Sequence, residues 1–446
     1  LETIRQLQLQ LKQRQLNSYS LIEKSLNQAK NSSDVMTAIY ADQAMSSAQH
    51  ADSLIATGAT NSPLLGLPIT IKDLFDVQGQ TTMAGTVVCA GEPAAAQDAP
   101  AVSRLKNAGA VILGKTNMSE FAFSGVGINP HYGTPVNPFD LDTARIPGGS
   151  SSGAAVSVAS GFAVAGLGSD TGGSLRIPAS LCGLVGFKNS QYRVPRAGAV
   201  ELARSLDTVG AITRCVDDAI ILDQVLSGQD LAVQARALKG LRLAIPNTLM
   251  MDDLDETVAK SFSKLLITLT QAGVEIREIS LKELDEIAHI NQPGGLSPIE
   301  GYAAQGARIE ADPSKVDHRV VQRMYMGKGI SAADYLHLMD RRKNWIERVN
   351  SVIEPFDALI CPTVPIVAQP IQALLDSDDE FFRVNRLLLR NTFAINFLDG
   401  CSISIPCHVQ GDLPVGLMIS ASCGKDSVVL GIALAIEAHL KKSHSK

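Results

Sequence analysis

Closely spaced cysteine pairs, aromatic clusters, basic runs and membrane-length apolar stretches are all missing from this 446-residue sequence. The seven cysteines (Cys89, Cys182, Cys215, Cys361, Cys401, Cys407 and Cys423) show no two-residue spacing, so neither a zinc ribbon nor a redox pair is written here. Odd in number and set among apolar residues, they suit reduced core thiols, and the expected location is cytoplasmic. Lysine and arginine total 39 against 45 acidic residues, a net charge of −6. With no basic run in addition, nucleic acid and anionic membranes are poor candidates as partners. Aromatic residues make up 4% and Trp345 is the one tryptophan, which argues against base-stacking platforms. The most apolar region, Ala154 to Leu167, is broken by Ser157, Ser160, Gly161 and Gly166, and reads as tightly packed core and not as a membrane span. No ligand-like spacing implies a metal, and no cofactor is expected.

Glycine and serine are what is present, concentrated between Ile146 and Lys188. Gly148-Gly149 leads into Ser150, and Gly172-Gly173 leads into Ser174, with a helix-length piece and an apolar strand between them. Glycine supplies positive φ and lets the main chain approach a ligand closely, so each step predicts a tight turn with exposed amides. Such a turn can offer several N–H groups to one developing negative charge. Phe162 to Leu167 is a short apolar run bounded by glycines and predicts a buried strand, which places Asp170 to Ser174 at its carboxyl end. In open α/β sheets ligands bind at that end. Either serine alone is more simply read as a helix cap. The two together, with a lysine upstream, favour chemistry.

The pieces Gly148-Gly149-Ser150-Ser151-Ser152-Gly153, Asp170-Thr171-Gly172-Gly173-Ser174-Leu175-Arg176-Ile177-Pro178 and Gly66-Leu67-Pro68-Ile69-Thr70-Ile71-Lys72-Asp73 resemble the amidase signature family. The resemblance continues through Gly114 to Met118, Asn137 to Asp140, Ser205 to Gly210 and Leu413 to Met418, nearly the whole chain. It implies an α/β fold: a single domain over 1–446 with a twisted mixed β-sheet core covered by helices on both faces. Residues 1–60 are expected as a helical N-terminal segment, and residues 289–345 as a variable helical region covering the substrate. It also implies an amide hydrolase with a Ser-cisSer-Lys triad. Ser174 would be the nucleophile, Ser150 the bridging serine after a cis peptide, and Lys72 the base, with 174 − 150 = 24 residues between the serines. Amides of the Thr171, Gly172, Gly173 and Ser174 loop would hold the oxyanion. Ser151, Asp170 and Arg176 would support the loops, and Ala122 (through its carbonyl), Phe123 and Ser124 would line the acyl pocket. Two departures, Asn189 and Ala211 where the family commonly has proline, bear on local loop geometry.

Elsewhere the patterning is ordinary. Leu67, Ile69 and Ile71 alternate with Pro68, Thr70 and Lys72, a strand that ends on the lysine. A helix opened by Asp98 and Pro100 closes at Gly109, and Ala110 to Leu113 predict the next buried strand. Gly109-Ala110-Val111-Ile112-Leu113-Gly114-Lys115-Thr116 matches a phosphate-loop pattern letter by letter, yet its four middle residues are the strand itself and not a loop. Gly149-Ser150-Ser151-Ser152-Gly153 formally fits a nucleophile elbow, but the polar stretch before it is no hydrophobic strand. None of the eight histidines stands in either serine loop, so a histidine base would have to come from a distant residue such as His408. A lysine serves instead when burial strips its proton near neutrality.

The function expected is hydrolysis of a small carboxamide or anilide through a serine acyl-enzyme. The alternative is the glutamine-hydrolysing subunit of a tRNA-dependent amidotransferase. The partner is then a small-molecule amide, with nucleic acid involved only for an amidotransferase component, no membrane, and a homodimer admissible.

Overall fold

The computed structural model describes residues 1–58, 62–140, 142–292 and 294–444. Its strands are β1 (Met36–Ile39), β2 (Pro68–Lys72), β3 (Val111–Thr116), β4 (Ala165–Asp170), β5 (Val185–Lys188), β6 (Thr208–Thr213), β7 (Arg242–Pro246), β8 (Glu275–Ile279), β9 (Ala358–Pro362), β10 (Cys401–Pro406) and β11 (Gly416–Ala421). They form one mixed sheet in the order β1-β3-β2-β4-β6-β5-β10-β11-β9-β7-β8. Strands β3, β2 and β4 run parallel, as do β9, β7 and β8, and antiparallel pairs join these two groups through β6, β5, β10 and β11.

Side-chain alternation explains why helices pack on both faces. In β3, Val111 and Leu113 enter one hydrophobic cluster and Ile112 another. In β11, Leu417 and Ile419 face one cluster while Met418 faces the opposite one. Successive residues of a strand point to opposite sides, so a strand apolar at both parities must be covered twice. β8 lies at the sheet edge and is the exception, with Glu275, Arg277 and Glu278 exposed, as its alternating sequence requires.

Three differences from the sequence reading have physical causes. The N-terminal segment is not wholly helical, because β1 pairs antiparallel with β3 at the sheet edge. Four residues of mixed polarity carry no readable period. Strand β4 begins at Ala165, three residues later than Phe162, and runs on through Gly168, Ser169 and Asp170. Those last residues are buried against the candidate site and not against apolar core, so hydropathy hid them. Strand β3 likewise extends through Lys115 and Thr116. Lys115 is buried there and pairs with Asp73 at 3.1 Å while donating to the Thr81 carbonyl at 3.1 Å, so its ammonium is already committed. The strand placement of the phosphate-loop look-alike stands as read from sequence.

Candidate active site

Lys72 ends β2, which pairs in parallel with β4 in the register Ile69↔Ala165 through Ile71↔Leu167. That register carries Lys72 alongside the carboxyl end of β4. Its ammonium nitrogen Nζ lies 2.7 Å from Ser150 Oγ and 2.8 Å from Ser169 Oγ. The residue is fully buried, and desolvation lowers its pKa to about 7 against the opposing pull of Asp207 and then Asp170. An amine so placed is uncharged in a large fraction of molecules at neutral pH. Ser169 is a partner that the sequence reading missed; only the parallel register brings it to Lys72.

Ser150 follows a cis peptide bond from Gly149. Its carbonyl accepts from Ser119 N–H at 3.1 Å, and the Gly149 amide donates to the Gly125 carbonyl at 2.8 Å, which anchors this turn to the 119–125 segment. A Cβ on Gly149 would stand 2.6 Å from Ser119 Oγ and 2.7 Å from Gly127 N, so only glycine fits. Ser151 binds the other loop through its amide, 3.4 Å from the Ser174 carbonyl.

The turn after β4 is organised by the Asp170 carboxylate. Oδ1 accepts from Gly173 N–H at 2.8 Å, Arg176 Nη2 at 2.9 Å and Asn396 Nδ2 at 2.9 Å, while Oδ2 accepts from Arg176 Nε at 3.0 Å and Leu175 N–H at 3.2 Å. Burial alone would push this carboxyl up, but Arg176 and the other donors hold it down at about 2. Both members of the ion pair are fully buried. In this structure the Gly173 amide is thus engaged by Asp170. Among the described residues, the amides of Thr171, Gly172 and Ser174 have no protein acceptor.

Thr171, Gly172 and Ser174 line a cavity of about 1290 Å³ together with Ala122, Phe123 and Ser124. Phe121 and Ala122 hold left-handed backbone at φ 49° and 58°, a conformation costing non-glycine residues about 1 kcal/mol or more each. Ser124 Oγ donates to Asn385 Oδ1 at 3.3 Å. Lys72, Ser150, Ser151, Asp170 and Arg176 are buried and do not line the cavity. Of the region expected to cover the substrate, Leu296, Pro298, Arg323 and Met326 line the cavity. Among the described residues, no histidine lines it; His408 instead packs edge-on against Phe139.

The helix Asp378–Phe397 supplies a buried polar stripe that the sequence reading did not single out. Thr392 and Asn396 reach the nucleophile-side loop, and Asn385 reaches the 124–125 turn. Their four- and seven-residue spacing was the available signal, since buried polar residues at helical period need partners.

Arg323 is the other unforeseen group. Its guanidinium lies over the Phe123 ring, 4.0 Å from the centroid, and donates to the Phe123 carbonyl. The residue is half-buried, and the surrounding protein lowers its pKa to about 10 with no carboxylate acting on it among the described residues. Among the described residues there is also no cluster of metal-binding side chains, and no helix is long and apolar enough to cross a membrane.

The family model described as Amidase matches residues 20–430. The chain is 34% identical over 411 residues to 2-amino-5-chloromuconic acid deaminase of Comamonas testosteroni, spanning 90% of this chain and 88% of that protein. It is 32% identical over 475 residues to the A-subunit of the glutamyl-tRNA(Gln) amidotransferase of Geobacillus thermodenitrificans strain NG80-2, spanning 98% of this chain and 96% of that one. A crystal structure described as an amidase superposes with a TM-score of 0.88 at 31% identity, covering 98% of this chain and 99% of its own. With sheet, cavity and sequence in agreement, the chain belongs to the amidase signature family of C–N hydrolases.

Proposed function

We propose that this chain hydrolyses a small amide bearing an anionic group, through an acyl-enzyme formed on Ser174. The observation that carries the reading is the buried Lys72 amine, 2.7 Å from Ser150 Oγ and titrating at about 7. A serine hydroxyl needs a base, and this amine is hydrogen-bonded to one of the two loop serines.

In the proposed sequence Ser174 Oγ attacks the amide carbon and gives its proton to Ser150, whose own proton passes to neutral Lys72. The tetrahedral oxyanion is met by the free amides of the 171–174 loop. One such donor is typically worth about 2.7–4 kcal/mol. As the C–N bond breaks, the proton returns from Lys72 through Ser150 to the leaving nitrogen, which departs as ammonia or an amine. Water then enters on the same relay and frees the carboxylate, leaving Ser174 as it began.

Arg323 supports the anionic part of the reading. A half-buried guanidinium on the cavity wall beside Phe123, with no carboxylate partner among the described residues, is placed to pair with an anionic substrate group. The named substrate of the Comamonas relative is itself an acid. The second reading, the glutamine-hydrolysing subunit of a tRNA-dependent amidotransferase, is favoured by the amidotransferase relative matched over 98% of this chain.

Release of ammonia or amine from a panel of neutral and carboxylate-bearing amides, glutamine included and no partner chain added, tests these readings. Carboxylate-bearing amides should be preferred, and Arg323→Gln should raise their KM about ten- to a hundredfold while sparing neutral amides. Preference for neutral amides with no effect of Arg323→Gln sinks the anionic reading. Ser174→Ala should abolish turnover with the fold intact; near-wild-type activity in that variant removes the nucleophile assignment. Turnover of glutamine only after a partner chain is supplied selects the second reading.

A further inference from the structure

Strand β6 lies antiparallel to β4, and the register that pairs Asp170 with Thr208 sets Asp207 opposite Thr171, just beyond the paired strands. The Asp207 carboxylate bridges two parts of the cavity wall. Its Oδ1 accepts from Thr171 Oγ1 at 2.5 Å, and its Oδ2 accepts from the amides of Leu202 and Ala203 at 3.0 and 3.1 Å. Thr171 and Leu202 both line the cavity. The 202–207 turn is also held from its far side, where Ser205 N–H and Oγ donate to Glu300 Oε2 at 2.9 and 3.0 Å and Tyr335 donates to Oε1 at 2.7 Å. The turn therefore keeps its anchor when Asp207 changes.

The charges around this corner are unequal. Asp170 is neutralised by Arg176, and Lys188, which also acts on Asp170, donates to the carbonyls of Asn189 and Gly400. Asp207 has no salt bridge among the described residues. Arg196 acts on it from nearby, but its guanidinium donates to the Arg204 and Asp207 backbone carbonyls. Of the negative charges acting on Lys72, Asp207 comes first and Asp170 second. Burial raises Asp207 itself to about 6, against the bonds from Thr171 and the two amides.

Resting on the Ser174–Ser150–Lys72 reading, we infer that Asp207 is a positioning residue of this site. Through Thr171 it fixes the loop that carries Ser174, and its carboxylate balances the ammonium that Lys72 becomes on taking the serine proton. A buried negative charge without a cation is costly at rest, and that cost falls when a positive charge forms within its field.

Asp207→Asn, Asp207→Glu and Thr171→Val, assayed from pH 5 to 9 on an amide that the wild type turns over, test this. In Asp207→Asn, kcat should fall about ten- to a hundredfold, with KM within about threefold. The acidic limb of kcat/KM should also move to lower pH by about one unit, because losing the neighbouring charge makes Lys72 easier to deprotonate. Thr171→Val should lower kcat with the limb unmoved, and Asp207→Glu should return the limb towards its wild-type position. A limb that stays put in folded Asp207→Asn, or a loss confined to KM, overturns the inference. Should Asp207→Asn fail to fold, wild-type kcat in Thr171→Val overturns it instead. Neither result touches the nucleophile assignment, which stands or falls with Ser174→Ala.

Discussion

Thr392 donates its hydroxyl to the Gly172 carbonyl at 2.6 Å, across 220 residues of sequence. That bond sets the tilt of the peptide that enters Gly173, whose φ of 132° suits glycine. A Cβ there would meet Thr392 Oγ1 at 2.2 Å. The helix Asp378–Phe397 is thus a jig for the turn that presents the Thr171, Gly172 and Ser174 amides.

Thr392→Val keeps the shape of the side chain and removes the bond. Loss of oxyanion-loop alignment should lower kcat about ten- to a hundredfold with KM nearly unchanged. The abandoned buried carbonyl should cost about 1–3 kcal/mol of stability. Steady-state kinetics beside denaturant melts check both; unchanged kcat would remove the helix from the site's support.

The pH dependence of the wild type follows from Lys72. The base works as the neutral amine, and its pKa is lowered by burial to about 7. Below that value the amine is protonated and kcat/KM should fall about tenfold per pH unit; above it the rate should level off. A rate profile flat down to pH 5 would falsify the lysine base.

Stability should also rise with pH, over a higher range. The folded pKa of Lys72, about 7, lies below the unfolded value of about 10.4, so between these the unfolded chain binds the extra proton and stability rises with pH. At pH 7 the burial of this amine forfeits on the order of 4 kcal/mol. Lys72→Met should therefore be inactive yet melt a few degrees higher at pH 7, less the loss of its bonds to Ser150 and Ser169, with the gap closing towards pH 10. A variant less stable than wild type at every pH contradicts this account.

Lys115 supplies a contrasting lysine. Replacing it with methionine leaves Asp73 buried and without its cation, which should cost about 3–5 kcal/mol. ATP should raise the melting temperature of neither protein, as expected of a lysine inside a strand and not in a phosphate loop. ATP-dependent stabilisation lost in Lys115→Met would reopen the nucleotide reading.

Much of this molecule is legible in one dimension. Apolar residues of both parities in β3, β9 and β11 announce a sheet buried on two sides, and Gly148-Gly149-Ser150 and Gly172-Gly173-Ser174 announce turns with amides to offer. These features are local, written in spacing and residue type. The Ser169–Lys72, Asp207–Thr171 and Thr392–Gly172 contacts are not, because each joins residues brought together by strand register or helix docking. Whether an amine loses its proton, or a guanidinium its water, depends on how much protein surrounds it. Desolvation is a property of packed volume, so the sequence by itself determined the groups available at Lys72, Asp207 and Arg323, and only the tertiary structure decided their charge and reach.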